Sequence, residues 1–582
     1  MYESKIKAML TPAVEKKIAS LIYFGAPFTT ILVITNIVSD PVNVTKLLSS
    51  GIIATAIAGL LIFKTNVQVW QASKMLFISL ALFLVTSAWA VINSAAPFPQ
   101  NIYGAFGRNT GLLAYIALGV ISLGASLLSN MKSLRNIMYG FGAAGLINIV
   151  YCFIAWQFKD PINWSNPYGA ILGTFGNPNF ISSFLGMVIL GLWAYALQPK
   201  VKLSLRLFLI AVTGIALAEI ISSNSIQGLV VTAFAIALVL LYKLRSLNFM
   251  SQGLRLTSMA TYLVFIFIGG ILALLGALQK GPLAQYIYKP SVSLRGEYWR
   301  AGINMALEKP FTGVGMDSYG DWYRRARDAQ ALIVPGPNTV TNAAHSVPID
   351  FLAYGGFPLL IAYLSFITVG AIALVKVVRR QREFDWVFVS ISGIWLAYHL
   401  QSLISINQIG LTIWGWLLTG VLVAYERITR QQDSAKEAIN KKMAGSKSSK
   451  KEKNQYFSPS LVAGIGAVIG ALIFVPSFNA DAQWRAGVVK GNAAQIKKAL
   501  TPTYLTPRDT SHLLQTVQIL EQNKLYDEAY FYAKELVKFN PDNFDAWNSL
   551  SLVSKSTQEE KNIAKKEMQR LDPKNKELFT AK

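Results

Sequence analysis

Arg295, Arg300, Arg324, Arg325, Arg327 and His345 all fall in one polar stretch, Gln279 to Gly356, set between two long apolar runs. Guanidinium groups bind anions bidentately. A histidine exchanges protons near neutral pH. The stretch also carries tyrosines and tryptophans, so it is expected to fold rather than to behave as a disordered connector. It is read as the lid and catalytic wall of a site at a membrane surface. Arg295 opens SLRGEYWRAGINMALEKP, which has helical spacing, and His345 closes the stretch in NAAHSVPIDFLAYGG. Bland roles are open to both. An arginine beside a bilayer can pair with phospholipid, and a loop histidine can simply be hydrogen-bonded.

Two shorter stretches add candidates. NIYGAFGRNTG holds Arg108 between glycines, and GTFGNPNFISSFLG holds Asn177, Pro178 and Asn179 at the mouth of an apolar run. Asparagine and proline there break the helix, and the amides can hold a polar ligand or cap the next helix. His399 lies inside an apolar run, a functional position by default in a membrane protein, although a hydrogen bond to a neighbouring helix explains it equally.

The elements that must position these residues are membrane spans. Of 582 residues, 53% are hydrophobic and 14% charged, too apolar for an ordinary soluble chain. The net charge of +24 does not point to nucleic acid, because most basic residues flank apolar runs. About thirteen runs have spanning length, and the fold class is all-α, a polytopic membrane protein. Lys64, Lys74, Lys132, Arg135, Lys200, Lys202, Arg206, Lys243, Arg245, Arg255, Lys376, Arg379, Arg380 and Arg382 fall on one side of this pattern. Lys46, Arg108 and Lys159 fall in the short loops of the other. The positive-inside rule therefore places the N-terminus in the cytoplasm and 279–356 outside. The basic start, MYESKIKAMLTPAVEKK, reads as an uncleaved signal-anchor. The single cysteine, Cys152, forms no intrachain disulfide, and the three histidines are too scattered for a metal cluster.

Four segments follow: a spanning domain over 1–425, a basic cytoplasmic linker over 426–457, a last span over 458–477 and an external helical tail over 478–582. The linker reads as a solvated connector or as a contact to anionic lipid. In the tail, Asn540-Pro541 and Asp572-Pro573 end matching helices 32 residues apart, with Ala529, Ala533, Trp547 and Leu550 on the packing faces. That period is tetratricopeptide-like. It suits either a protein-binding module or a helical cap over the membrane domain.

GTFGNPNF, then Arg295-x-x-x-Trp299, then KPFTGVGMDSY, then an Ala-His closing the large loop, form an ordered set over roughly residues 75–425. This set resembles the O-antigen ligase and polymerase superfamily of bacterial envelope glycosyltransferases, in which tetratricopeptide-like tails also occur. The resemblance implies transfer of a glycan from a polyprenyl-diphosphate donor to a lipid, glycan or protein hydroxyl. The reaction would take place at the external face of the cytoplasmic membrane, with no metal or other cofactor. Under it, Arg295 binds the diphosphate and His345 is the general base. Arg108, Arg300, Asn177, Asn179 and Gln227 contribute to substrate binding. One departure stands out: the family's Ser-Arg-Gly-like segment reads SSNSIQGLVV here, with Gln227 and no arginine. Arg108 or Arg324 compensates, or the donor differs, or the transferase reaction is lost. A membrane transporter and a non-catalytic envelope scaffold are the rival readings.

Overall fold

The computed structural model describes residues 10–64, 71, 73–288, 290–441 and 457–579. The first nine residues of the expected signal-anchor, and 442–456 of the expected linker, lie outside them. Among the described residues every regular element is helical. The long helices are α1 Pro12–Ile31, α2 Asn43–Lys64, α3 Lys74–Ile92, α4 Leu112–Ser126, α5 Met131–Gln157, α6 Pro178–Ala196 and α7 Leu203–Ser222. They continue with α8 Ile226–Arg245, α9 Gln252–Ala277, α10 Arg295–Glu308, α11 Tyr319–Ala326, α12 Val347–Arg380, α13 Trp386–Ser402, α14 Ile409–Lys441 and α15 Pro459–Val489. After a short helix, Ala493–Leu500, four further tail helices follow: α16 Thr510–Gln522, α17 Tyr526–Phe539, α18 Phe544–Leu552 and α19 Gln558–Leu571.

Ten of these helices are long and apolar enough to cross a membrane, the architecture of a polytopic membrane protein. The three remaining runs expected from the sequence are α1, α4 and α13. α4 and α13 have 15 and 17 residues, shorter than an ordinary span. The apolar part of α14, within Ile409–Ser434, lies almost wholly buried in the bundle, whereas in α9 the buried residue is Gly276. α15 packs along α2 through small residues: a Cβ on Gly466 would meet the Thr55 carbonyl at 2.5 Å. Such close backbone approach is how apolar helices associate where no hydrophobic force separates them from lipid.

Two boundaries differ from the sequence reading. α14 runs on through 426–441, the first half of the expected linker. α15 continues without interruption past 477, so the last span and the start of the tail are one helix. Trp484 on this extension donates its indole N–H to Thr516 at 2.9 Å and so joins the tail core. That core holds Leu513, Val517, Ala529, Ala533, Leu536 and Leu550.

α12 is the element that carries the large loop. Its helix breaks at Gly355 and Gly356, the latter at φ 65°. A break frees backbone carbonyls, which must find donors. The KPFTGVG segment supplies them: Val314 donates to the Ala353 carbonyl at 2.9 Å and Gly315 to that of Tyr354 at 3.0 Å. In return Phe357 donates to the Pro310 carbonyl at 2.9 Å. The first half of α12 is thereby stapled to the loop and rotated out of line with the second.

Candidate functional site

Arg295 is the first residue of α10, one helical turn before Tyr298. It is only 9% exposed. Among the described residues it makes no ion pair or hydrogen bond, and its electrostatic neighbours there are Tyr298 and His345. Burial pushes the guanidinium pKa down, partly opposed by Tyr298. A buried cation lacking a counter-ion is costly in any fold, so such groups are normally paired.

His345 sits next to it. Its backbone is left-handed, φ 55°, just before Ser346 starts α12. The strained turn is held because Asp350, one turn into α12, accepts the Ala344 N–H at 2.7 Å. The imidazole is half-buried and lies 5.7 Å from the Tyr298 ring, centroid to centroid. It makes no hydrogen bond to a described residue. Burial, then the positive charges of Arg295 and Arg108, lower its pKa to about 4. The ring is therefore neutral near pH 7, the form that can accept a proton.

Arg108 faces the same histidine but is differently placed. Its side chain forms a buried ion pair with Asp317 at 3.0 Å. It also donates to the Asn342 carbonyl at 2.5 Å and to the Tyr354 hydroxyl at 2.6 Å. Burial disfavours its charge, but Asp317, Tyr354 and Asp350 outweigh that and raise its pKa. Asp317 in turn accepts from Ala105 at 2.9 Å and from the Thr110 hydroxyl at 3.2 Å. Arg108 thus ties its own loop to the segment that precedes His345, and its guanidinium is committed to protein acceptors.

The other candidates fall elsewhere. Arg300 lies on the exposed face of α10, paired with Glu297 and, at 3.3 Å, with Asp328. Asn177 caps α6, accepting from Asn179 N–H at 2.9 Å, and donates to the Tyr168 hydroxyl at 3.2 Å. Asn179 accepts from Ser225 at 2.8 Å. Two residues on, buried Gln227 donates to Gln401 at 2.6 Å. Asn179, Ser225, Gln227 and Gln401 form a contact set of their own, joined by no hydrogen bond to Arg295 or His345 among the described residues.

With this geometry in view, the match to known proteins is specific in position. Residues 210–364 match the family model for O-antigen ligase. No curated protein matches the chain. The matched O-antigen ligase segment begins in α7, takes in Gln227, Arg295, Arg300 and His345, and ends just past the break in α12. Arg108, Asn177 and Asn179 lie before it. The match supports a place in the O-antigen ligase superfamily and, at that general level, glycan transfer.

Several residues of consequence escape a reading of composition. Asp317 lies inside KPFTGVGMDSY, yet nothing local ties it to Arg108. Tyr354 belongs to the tract after His345 and is 246 residues from its partner Arg108. Glu219 in α7 is fully buried, and neither carboxylate oxygen has a hydrogen-bond partner among the described residues. Its signal was available: one acid within IALAEIIS.

Proposed function

We propose that the chain transfers a glycan from a polyprenyl-diphosphate carrier to an acceptor hydroxyl, at the external face of the cytoplasmic membrane. The carrying observation is Arg295, a buried guanidinium with no counter-ion among the described residues, beside a neutral His345 that has no hydrogen-bond partner among them. The diphosphate of the donor seats against Arg295. The acceptor oxygen attacks the anomeric carbon while its proton passes to His345, and the bond from that carbon to the diphosphate oxygen breaks. Arg295 stabilises the negative charge that gathers on the leaving diphosphate. The proton returns to solvent or to the departing diphosphate, and a single displacement inverts the anomeric centre.

Electrostatics favours this order of events. In the free protein Arg295 and Arg108 oppose protonation of His345. A dianionic diphosphate offsets those charges, so the histidine becomes a stronger base only once donor is bound. Arg108 acts as a positioning residue, holding Tyr354 and the approach to His345. The role proposed for Gln227 is to shape the wall beside Gln401, and Asn177 and Asn179 set the mouth of α6. The tetratricopeptide-like tail serves first as a cap on the loop, with any protein partner reaching its outer face.

The test is glycan transfer by purified protein in nanodiscs. It uses a polyprenyl-diphosphate oligosaccharide and host lipid and protein fractions, with and without chelator. Transfer that survives chelator and disappears in both Arg295→Ala and His345→Ala is expected. Transfer that persists in either variant overturns the assignment. A second reading, transport, draws on Glu219 and on His399, whose ring nitrogens also lack hydrogen-bond partners among the described residues. Loss of solute flux in Glu219→Gln, in protein that transfers no glycan, would select it.

A further inference from the structure

A cavity of about 360 Å³ opens on the loop side of the bundle, between the α1–α2 connection, the 163–165 loop and α15. It lies in the lower part of the range, roughly 300–1,000 Å³, that small ligands occupy. Its lining is unlike a lipid crevice: Trp164, Asn36, Asn43, Asn163, Ser165 and Arg485 all reach it. None of these belongs to the Arg295–His345 pair.

The walls are built rather than loose. Asp160 accepts from the Trp164 indole at 3.0 Å, from Ile162 N–H at 2.9 Å and from the Tyr151 hydroxyl at 2.6 Å, which fixes the tryptophan by its edge. Asp481 on α15 accepts from Ser39 and Asp40 N–H at 2.9 and 3.0 Å. Arg485 donates to the Asn36 carbonyl at 3.1 Å. A fixed aromatic ring beside amides, a hydroxyl and a guanidinium is what a pyranose needs. Its C–H face packs on the ring, and its vicinal hydroxyls exchange hydrogen bonds with planar groups that both donate and accept.

Two contacts tie the cavity to the proposed active site. Asn43 donates to the Gly107 carbonyl at 2.8 Å, one residue before Arg108. Gly176, also in the lining, immediately precedes Asn177. The geometry points to a saccharide-binding subsite here, holding one sugar unit of a glycan whose reacting end lies at His345. The inference rests on the glycan-transfer reading for its biological sense, but the binding can be measured without transfer.

The experiment is saturation-transfer NMR on the full chain in nanodiscs, with a panel of neutral oligosaccharides two to four units long. Wild type and Arg295→Ala are expected to bind a member of the panel equally. Trp164→Ala and Asn43→Ala should weaken it at least tenfold, and Trp164→Phe, which keeps a ring, should retain part of the affinity. Equal binding by wild type and Trp164→Ala, or no binding by any member of the panel, overturns the subsite. Sugar binding that depends on Trp164 in a protein that transfers no glycan would keep the subsite and remove the transferase.

Discussion

Arg327, at the end of α11, and Asp572, at the end of α19, form a bidentate ion pair at 3.3 and 2.5 Å with no solvent exposure on either side chain. The large loop and the last tail helix are therefore clamped together, 245 residues apart in sequence. Lys574 adds a donation to the Arg327 carbonyl at 2.9 Å. Asp321, also on α11, accepts from Asn543 at 2.7 Å and from Asn540 at 3.3 Å. The tail is thus a structural part of the loop that carries the candidate site.

Asp572→Ala would leave Arg327 buried and unpaired, a change that typically costs about 3–5 kcal/mol. The expected outcome is a lower unfolding midpoint and rapid proteolysis within 319–340, with glycan transfer lost alongside. The double variant Arg327→Met with Asp572→Leu should recover most of the stability, since it removes the stranded charge. Wild-type protease resistance in Asp572→Ala would sink the clamp.

Arg295 and Arg108 should respond oppositely to truncation. Arg108 has three protein acceptors, so Arg108→Ala strands the Asp317 carboxylate and should destabilise by about 3 kcal/mol or more. Arg295 has none among the described residues, so Arg295→Met removes a buried charge without a described partner and should leave the unfolding midpoint unchanged or higher. Donor binding should vanish in Arg295→Met. Thermal unfolding of both variants decides it: equal destabilisation would mean that Arg295 has a partner after all.

How much of this was legible in the sequence can be judged residue by residue. Ten of the roughly thirteen expected spans were, because apolar runs between basic loops admit few other structures. Arg295 and His345 could be named as candidates from their place in the ordered motifs. Their shared neighbour Tyr298 is one turn along a helix from Arg295, and that helical spacing was visible. The pairing of Arg108 was not, because its acid, Asp317, lies on another loop. Local sequence does not report pairing across such separations. Gln227 illustrates the opposite difficulty: its type suggested a weakened phosphate ligand, while the fold gives it Gln401 as a partner. The extension of α14 through 441 was hidden by a polar composition that suits a helix as well as a linker.

Gly356→Ala tests the staple that orients α12. The residue has φ 65°, and a Cβ there would meet the Pro310 carbonyl oxygen at 2.2 Å. Gly313 is constrained in the same way from the other side, where a Cβ would meet Tyr354 backbone atoms at 2.3–2.4 Å. Left-handed strain alone costs about 1–3 kcal/mol, and the clash adds to it. Either alanine variant is expected to lower the unfolding midpoint and to abolish transfer by displacing His345. A variant of Gly356 with unaltered stability would contradict the break.

The pH dependence of His345 supplies a prediction with a definite sign. Its folded pKa, about 4, lies below its ordinary value of 6.5. The unfolded chain therefore binds the proton more readily, and stability from this group is complete above pH 6.5 and lost as pH falls towards 4. Between pH 7.5 and 5 the unfolding midpoint of wild type should fall more than that of His345→Gln. The same shift governs catalysis. The acid limb of kcat/KM reports the free protein and should lie near pH 4. The limb of kcat reports the donor complex and should move upward, because the bound diphosphate offsets Arg295. An acid limb of kcat/KM at pH 6.5 would show that neither burial nor the charges of Arg295 and Arg108 act on the group that titrates, and would remove His345 as the base. Limbs of kcat and kcat/KM that coincide would show that the donor phosphate does not sit against Arg295.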